Sequence, residues 1–258
     1  MLYTNTSAMK ATLCLVATLV LVTACSDDDE ASDDTVNPRE GYITGKVVDT
    51  QGNPIAGAEV VIDNTMFYNN NIIVQTNANG LYEAALPTVG TYAVSASIQH
   101  TLNNKTYTLD LASDVTDVLS NEGGVVNFEW KLTGKKPEDM TGYFGASVSV
   151  NGAIGSEIYD PENIIFTLEP VGELIDGSKG KTLTMRTGEP YSAEYGSLVD
   201  IPLGRYIMTA SYEQDGKTIS LKIRNMFDAS SVYSTSFQLN FEPETVAGDN
   251  MAIIEYLE

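Results

Sequence analysis

From Tyr42 onward the chain is cut into short runs rich in Val, Ile, Thr and Tyr, and Gly, Asn or Pro returns about every eight to twelve residues. β-Branched and aromatic side chains suit a pleated, half-buried surface, whereas a helix needs a longer stretch with an apolar period of about 3.6 residues. No such stretch follows Tyr42, so the chain is restricted to an all-β fold of many short strands. The opening run shows how. Ile43-Thr44-Gly45-Lys46-Val47-Val48 and Ala58-Glu59-Val60-Val61-Ile62 flank a turn in which Gly52 can take a positive φ, Asp49 can accept turn amides and Pro54 fixes the exit. Asn77-Ala78-Asn79-Gly80 predicts a second turn, and Leu86 to Ala96 predicts a strand that places Tyr92, Val94 and Ala96 on one face.

The pattern then recurs. Ile201-Pro202-Leu203-Gly204-Arg205-Tyr206 parallels Leu86 to Tyr92, and Asp215-Gly216-Lys217-Thr218-Ile219 parallels Asn103-Asn104-Lys105-Thr106-Tyr107. The offset is 115 residues at the prolines, 114 at Gly90 and Tyr92, and 112 at Lys105. A nearly constant offset across a strand and the hairpin after it predicts a repeated unit. The front of the second copy departs from the first: it lacks the Gly52-to-Pro54 turn and offers only Phe144, Ala146, Val148 and Val150, then Ile164, Phe166 and Leu168, on alternating faces. Two domains of about 100 to 120 residues are expected, spanning 41–134 and 140–258, with the polar segment Thr133 to Asp139 as linker.

The residues 43–62, 76–82 and 86–96 resemble the carboxypeptidase regulatory-like domain, a transthyretin-like β-sandwich, and the resemblance extends over about 42–133, closing with a strand from Val125 to Leu132. It implies two tandem sandwiches of transthyretin-like or immunoglobulin-like type. It also implies an accessory module without catalytic residues of its own.

Ahead of these units, 11–24 are apolar or small with Lys10 before them, too short for a span of about 20 residues. Val22-Thr23-Ala24-Cys25 resembles the bacterial lipobox, which implies a signal peptide over 1–24 and lipid on Cys25. Met9, directly before Lys10, is a more ordinary start than Met1. Residues 25–40 then form an acidic, disordered tether. Its Ser26-Asp27-Asp28-Asp29-Glu30 resembles the surface-export signal of Bacteroidetes lipoproteins, and Asp34-Thr35-Val36 resembles their O-glycan acceptor, with Thr35 as the modified residue. These resemblances imply a protein anchored to the outer membrane through Cys25 and exposed at the cell surface. A solvated spacer would carry the same charge run.

With 14 basic against 35 acidic residues and a net charge of −21, the chain is a poor partner for nucleic acid or anionic lipid. Only His100 is present, and acylation of Cys25 leaves no thiol in the exported chain, so catalytic triads, histidine metal cages and disulfides are not expected, and no cofactor is. The acid pairs Asp160 with Glu162 and Glu242 with Glu244 are what 35 acids give by chance, and Asn77, Asn79 and Gly80 read as a turn rather than a calcium loop. Rings are the remaining candidates, because sugar faces stack on exposed aromatics. Trp130 is in phase with Val126, Phe128 and Leu132, and Tyr92 and Tyr206 are in phase with Val94 and Met208, so all three are expected in the core. Phe67, Tyr68 and Asn69, and in the second unit Tyr191, Tyr195, Phe227 and Tyr233, fall in loops and are the candidate ligand-binding residues, with a buried loop anchor as the plain alternative. Overall the chain resembles two-domain lipoproteins of Bacteroidetes glycan-utilisation loci. The leading expectation is a non-catalytic surface lipoprotein that binds polysaccharide or assists a TonB-dependent uptake complex. The alternative is a structural, adhesive or pilus-like module that binds protein.

Overall fold

The computed structural model describes residues 36–137, 141–214 and 216–258. The signal segment, Cys25 and Thr35 lie outside the described residues. No helix among the described residues is long and apolar enough to cross a membrane. Two residues expected within the tether are held by the first unit: Thr44 Oγ1 donates to the Asn37 carbonyl, and Arg39 pairs with Glu83 at 2.7 Å while its guanidinium lies 3.6 Å over the Tyr42 ring. One cation beside an aromatic ring is enough to seat the end of an otherwise acidic segment.

The fold is all-β. The first strands are β1 (Tyr42–Val48), β2 (Glu59–Asn64), β3 (Asn71–Gln75), β4 (Leu81–Ala85), β5 (Thr91–Leu102), β6 (Lys105–Asp110), β7 (Ala112–Ser113), β8 (Leu119–Ser120), β9 (Gly123–Val125) and β10 (Phe128–Glu129). They build two sheets, β4-β1-β10-β7 with β9 also on β1, and β3-β2-β5-β6 with β8 also on β5. The remaining strands are β11 (Ala146–Gly152), β12 (Ile164–Pro170), β13 (Leu183–Met185), β14 (Ser197–Ile201), β15 (Arg205–Gln214), β16 (Lys217–Asn225), β17 (Phe237–Asn240), β18 (Glu242–Thr245) and β19 (Gly248–Leu257). They run as one path, β13-β12-β15-β16-β19-β11-β14, that bends at β16: Lys217 to Leu221 pair with β15, and Lys222 to Asn225 pair with β19.

Bent there, the second set has the topology of the first. β12, β13 and β15 take the places of β2, β3 and β5, and β11 and β14 those of β1 and β4. β19 runs parallel to β11 as β9 and β10 run parallel to β1, β17 sits on the start of β15 as β8 sits on the start of β5, and β16 stands for β6 and β7 together. The hairpin of β18 with β19 has no counterpart in the first set. The second unit's topology, unreadable at its front from sequence, is thus that of the first.

Local chemistry explains the shared frame. Tyr92 and Tyr206 open β5 and β15 fully buried, and each hydroxyl reaches back to a carbonyl just upstream, Val89 O at 3.3 Å and Pro202 O at 2.6 Å. This is a tyrosine corner. The glycine two residues ahead makes room for the first corner, since a Cβ on Gly90 would lie 2.6 Å from the Tyr92 hydroxyl; in the second, a Cβ on Gly204 would meet Leu174 Cδ2 at 2.8 Å. At the far end of both strands a hairpin turns the chain, through Asn103-Asn104 with both φ positive after β5, and through Gly216 at φ +73° between Gln214 and Lys217 after β15.

The expected core residues are in place: Tyr92, Tyr206 and Trp130 are buried, the last with its ring centroid 5.2 Å from that of His100. The strand expected over 125–132 is broken after Val125, because side chains take over its ladder groups. Tyr82 donates its hydroxyl to the Val126 carbonyl at 2.7 Å, and Asn127 Oδ1 accepts the Lys46 N–H at 3.0 Å. Gly45 permits this crossing, since a Cβ there would sit 1.8 Å from Val126 O. In each sandwich the upper end is where β1 or β11 begins and β4 or β14 finishes; the turns after β1 and β11 lie at the lower end.

Candidate functional site

The lower end of the first sandwich meets the upper end of the second. Lys105, first residue of β6, pairs with Glu242 at 2.7 Å, and Tyr107 two residues on donates its hydroxyl to the Phe241 carbonyl at 2.9 Å. In the β1–β2 turn Thr50 Oγ1 donates to Asp176 Oδ2 at 2.8 Å, and from β19 Asn250 donates Nδ2 to Thr108 O at 2.9 Å. Burial, assisted by the negative charge of Glu242, pushes the Tyr107 phenol up to about 12, so it stays a donor at neutral pH. The linker is pinned as well. Lys136 pairs with Asp110, and Asp200 Oδ1, held at a φ of 61°, accepts the Gly134 N–H at 2.7 Å and the Gly145 N–H at 3.3 Å. The described part of the expected linker is thus held to both sandwiches.

Beside the linker lies a cleft of about 910 Å³ with Tyr143, Phe144, Lys136, Glu194 and Asp200 in its wall. Three of its charged groups already serve the protein: Glu194 accepts from Tyr143 at 3.1 Å, and Lys136 and Asp200 hold the linker. A smaller cleft of about 520 Å³ lies between the β16–β17 loop and β18, with Phe227, Asp228, Glu242, Glu244 and Val246 around it.

The candidate rings fall into three separate places. Phe67, Tyr68 and Asn69 sit in the β2–β3 loop at the upper end of the first sandwich, where Phe67 is half-exposed and Tyr68 wholly exposed; neither is a buried anchor. Asn69 turns the loop with φ 56°. Met66, Val89 and Val118, none of them a candidate from sequence, add exposed apolar surface to the same end. Tyr191, wholly exposed at φ 69°, and Tyr195 share the β13–β14 loop. Phe227 and Tyr233 follow β16, on the other flank of the sheet, with β11 and β19 between. Phe227 is exposed on the smaller cleft, but Tyr233 is half-buried beneath Arg224, 4.6 Å from its ring centroid, and is a packing residue. Arg224 is in turn held by Glu255.

One member of each acid pair, Asp160 and Glu242, is committed to structure. Asp160 accepts from the Tyr212 hydroxyl at 2.6 Å and from Asn163 at 2.7 Å, and the Tyr212 bond above all holds its carboxyl below the usual range. Glu242 is spent on Lys105. Asn77 Oδ1 accepts the Asn79 and Leu81 N–H groups at 2.9 and 3.0 Å, which is turn chemistry. Sequence reasoning missed Lys105, Tyr107, Asp176 and Phe241 as junction residues. The recurring Lys-Thr after the hairpin was their one visible signal.

No curated protein matches the chain. Among solved structures, the Bacillus anthracis TIE protein is 16% identical, with 85% of this chain and 33% of that one covered and a TM-score of 0.30. This chain therefore spans about a third of that protein. A C-terminal fragment of the pilus adhesin SpaC from Lactobacillus rhamnosus GG is 11% identical, with 84% and 96% covered and a TM-score of 0.25. A streptococcal ancillary pilin is 10% identical, with 84% and 62% covered and a TM-score of 0.26. Residues 42–120, which hold β1 to β8, match the family model of the carboxypeptidase regulatory-like domain, the module that the first sandwich resembles.

Proposed function

We propose that the chain is a non-catalytic surface lipoprotein, anchored to the outer membrane through Cys25, whose folded part is one domain duplicated into a stiff display module that contacts protein. The observation that carries this reading is the junction. An ion pair and three hydrogen bonds between the sandwiches, with a linker fastened by Asp200 and Lys136, resist the bending expected of two modules on a polar tether. The engagement of Asp160 and Glu242, one carboxylate of each acid pair, in packing supports a role without catalysis. Antibody labelling of intact cells tests the display: labelling before the outer membrane is broken is expected, and protection until it is broken refutes the reading.

A polysaccharide ligand is the second reading, favoured by the cleft where Phe227 stands beside Asp228 and Glu244, a ring with carboxylates to take hydroxyl hydrogen bonds. It predicts that Phe227→Ala abolishes retardation of the protein in polysaccharide affinity gels. Phe67 with Tyr68, and Tyr191 with Tyr195, are tested in the same gels as alanine pairs.

A further inference from the structure

The junction inside the chain has unused copies of both its halves. The hairpin registers make Lys217 the counterpart of Lys105, and Ile219 that of Tyr107. The pairings of Tyr92 with Leu119 and of Tyr206 with Leu239 make Glu122 the counterpart of Glu242, three residues on in each case. Lys105 is bound to Glu242, whereas neither Lys217 nor Glu122 has an ion pair among the described residues. Tyr107 is buried where β18 lies against β6, and Ile219 is exposed.

The loops repeat the asymmetry. Within the chain, the β1–β2 turn of the first sandwich reaches the β12–β13 loop of the second through Thr50 and Asp176. The counterpart of that turn, between β11 and β12, carries Ile154 and Tyr159, both strongly exposed; the counterpart of the Asp176 loop carries Met66, Phe67 and Tyr68, also exposed. Each end thus sets exposed apolar side chains near a charged one without an ion pair among the described residues, Lys217 below and Glu122 above.

We infer that a second copy of this chain docks head to tail, the upper end of its first sandwich on the lower end of the second sandwich, with Lys217 of one copy paired to Glu122 of the next. The occupant follows from the chain's own junction, which shows what covers the upper end of this sandwich: the lower end of another. Ile154 and Tyr159 supply apolar contact to Phe67 and Tyr68 where the internal junction uses Thr50 and Asp176. The two surfaces are different, so the contact is heterologous, and each copy added leaves one end free for the next. Chain entry does not block the site, because the linker enters the second sandwich at this same end, through 141–145, and the junction forms beside it. The inference rests on the reading of a protein-contacting module and names its partner.

The test is zero-length carbodiimide coupling of lysine to carboxylate in the purified full-length protein, using a mixture of isotopically light and heavy copies. Two linked peptide pairs are expected, Lys105 with Glu242 carried within one copy and Lys217 with Glu122 carrying mixed isotopes. In sedimentation Lys217→Glu should reduce the oligomer at least tenfold, and Lys217→Glu with Glu122→Lys should restore it. Formation of the first pair without the second, or the second only within one copy, overturns the inference. So does absence of the first pair, since the template is then wrong. Coupling of Lys217 to a different protein in crude membranes, with none to Glu122, overturns self-docking while leaving the protein-contacting reading standing; failure of surface labelling removes that reading whatever the coupling shows.

Discussion

The two sandwiches share a strand plan and differ most at their upper ends. In the second, that end is covered: Asp176, Phe241, Glu242 and Asn250 are all held by the first sandwich. In the first, the equivalent end is bare and apolar among the described residues, with Met66, Tyr68, Val89 and Val118 in solvent. The covered end is polar because its partner is always present and fixed in register, so hydrogen bonds can be matched atom to atom. A bare end that keeps apolar loops at a solvation cost retains them for an occupant that comes and goes.

The comparison depends on both frames being intact, and the largest expected effect breaks one of them. Gly45→Ala drives a Cβ into the Val126 carbonyl, which is backbone and cannot step aside. Destabilisation by about 3 kcal/mol is expected, seen as a lower urea midpoint for the first sandwich with an unchanged slope. A next, smaller effect compares the two corners directly. Tyr206 holds Pro202 O at 2.6 Å and Tyr92 holds Val89 O at 3.3 Å, so Tyr206→Phe should cost about 1.5 kcal/mol and Tyr92→Phe about 0.5 kcal/mol. Equal costs would show that the corners are not graded by their hydrogen bonds.

Much of this frame is legible in the chain. Alternation placed Tyr92, Tyr206, Phe128 and Trp130 in the core, and the Asn-Asn and Asp-Gly pairs marked both hairpins, because side-chain period and positive φ are local properties. The front of the second unit was not legible: its link to the first is a parallel pairing between β11 and β19, some hundred residues apart, which leaves no local pattern. Nor were the junction residues. Glu242 reads as one of a pair of acids, and only the fold carries it to Lys105. Tyr233 lies in a loop segment, yet Arg224 on β16 covers it, a contact that spacing alone does not encode.

The junction itself is sharpened by one hydroxyl. Tyr107→Phe leaves the ring in place and removes its bond to Phe241 O, at a cost of about 1 kcal/mol, and calorimetry should resolve two transitions where the parent shows one. The same contact sets a pH limit. The phenol titrates at about 12 in the folded chain against an ordinary 10.0, so its contribution is whole below pH 10 and is lost as pH rises from 10 towards 12. In Tyr107→Phe the alkaline loss should be smaller than in the parent, the share of buried Tyr82 and Tyr206 remaining. Acid acts elsewhere: Asp160 lies below its ordinary 3.8 because Tyr212 donates to it, so its contribution holds above that value and fades as pH falls through the lowered one. Asp160→Asn should flatten the acid limb of the second sandwich's stability curve.

The smallest effect separates the bare loop from the covered one. Asp176 binds Thr50 across the junction and Ser178 within its own loop, so Asp176→Ala should cost about 1 kcal/mol at any protein concentration. Tyr68 touches nothing that folding requires, and in dilute solution Tyr68→Ala should change stability by less than about 0.5 kcal/mol. Raising the protein concentration should then part the two loops. A copy seated on Tyr68 binds only the folded state, so the melting temperature of the parent should climb with concentration, while that of Tyr68→Ala stays level. A parent whose melting temperature is indifferent to concentration would mean that the bare end stays bare, and that its apolar loops answer to some partner other than this chain.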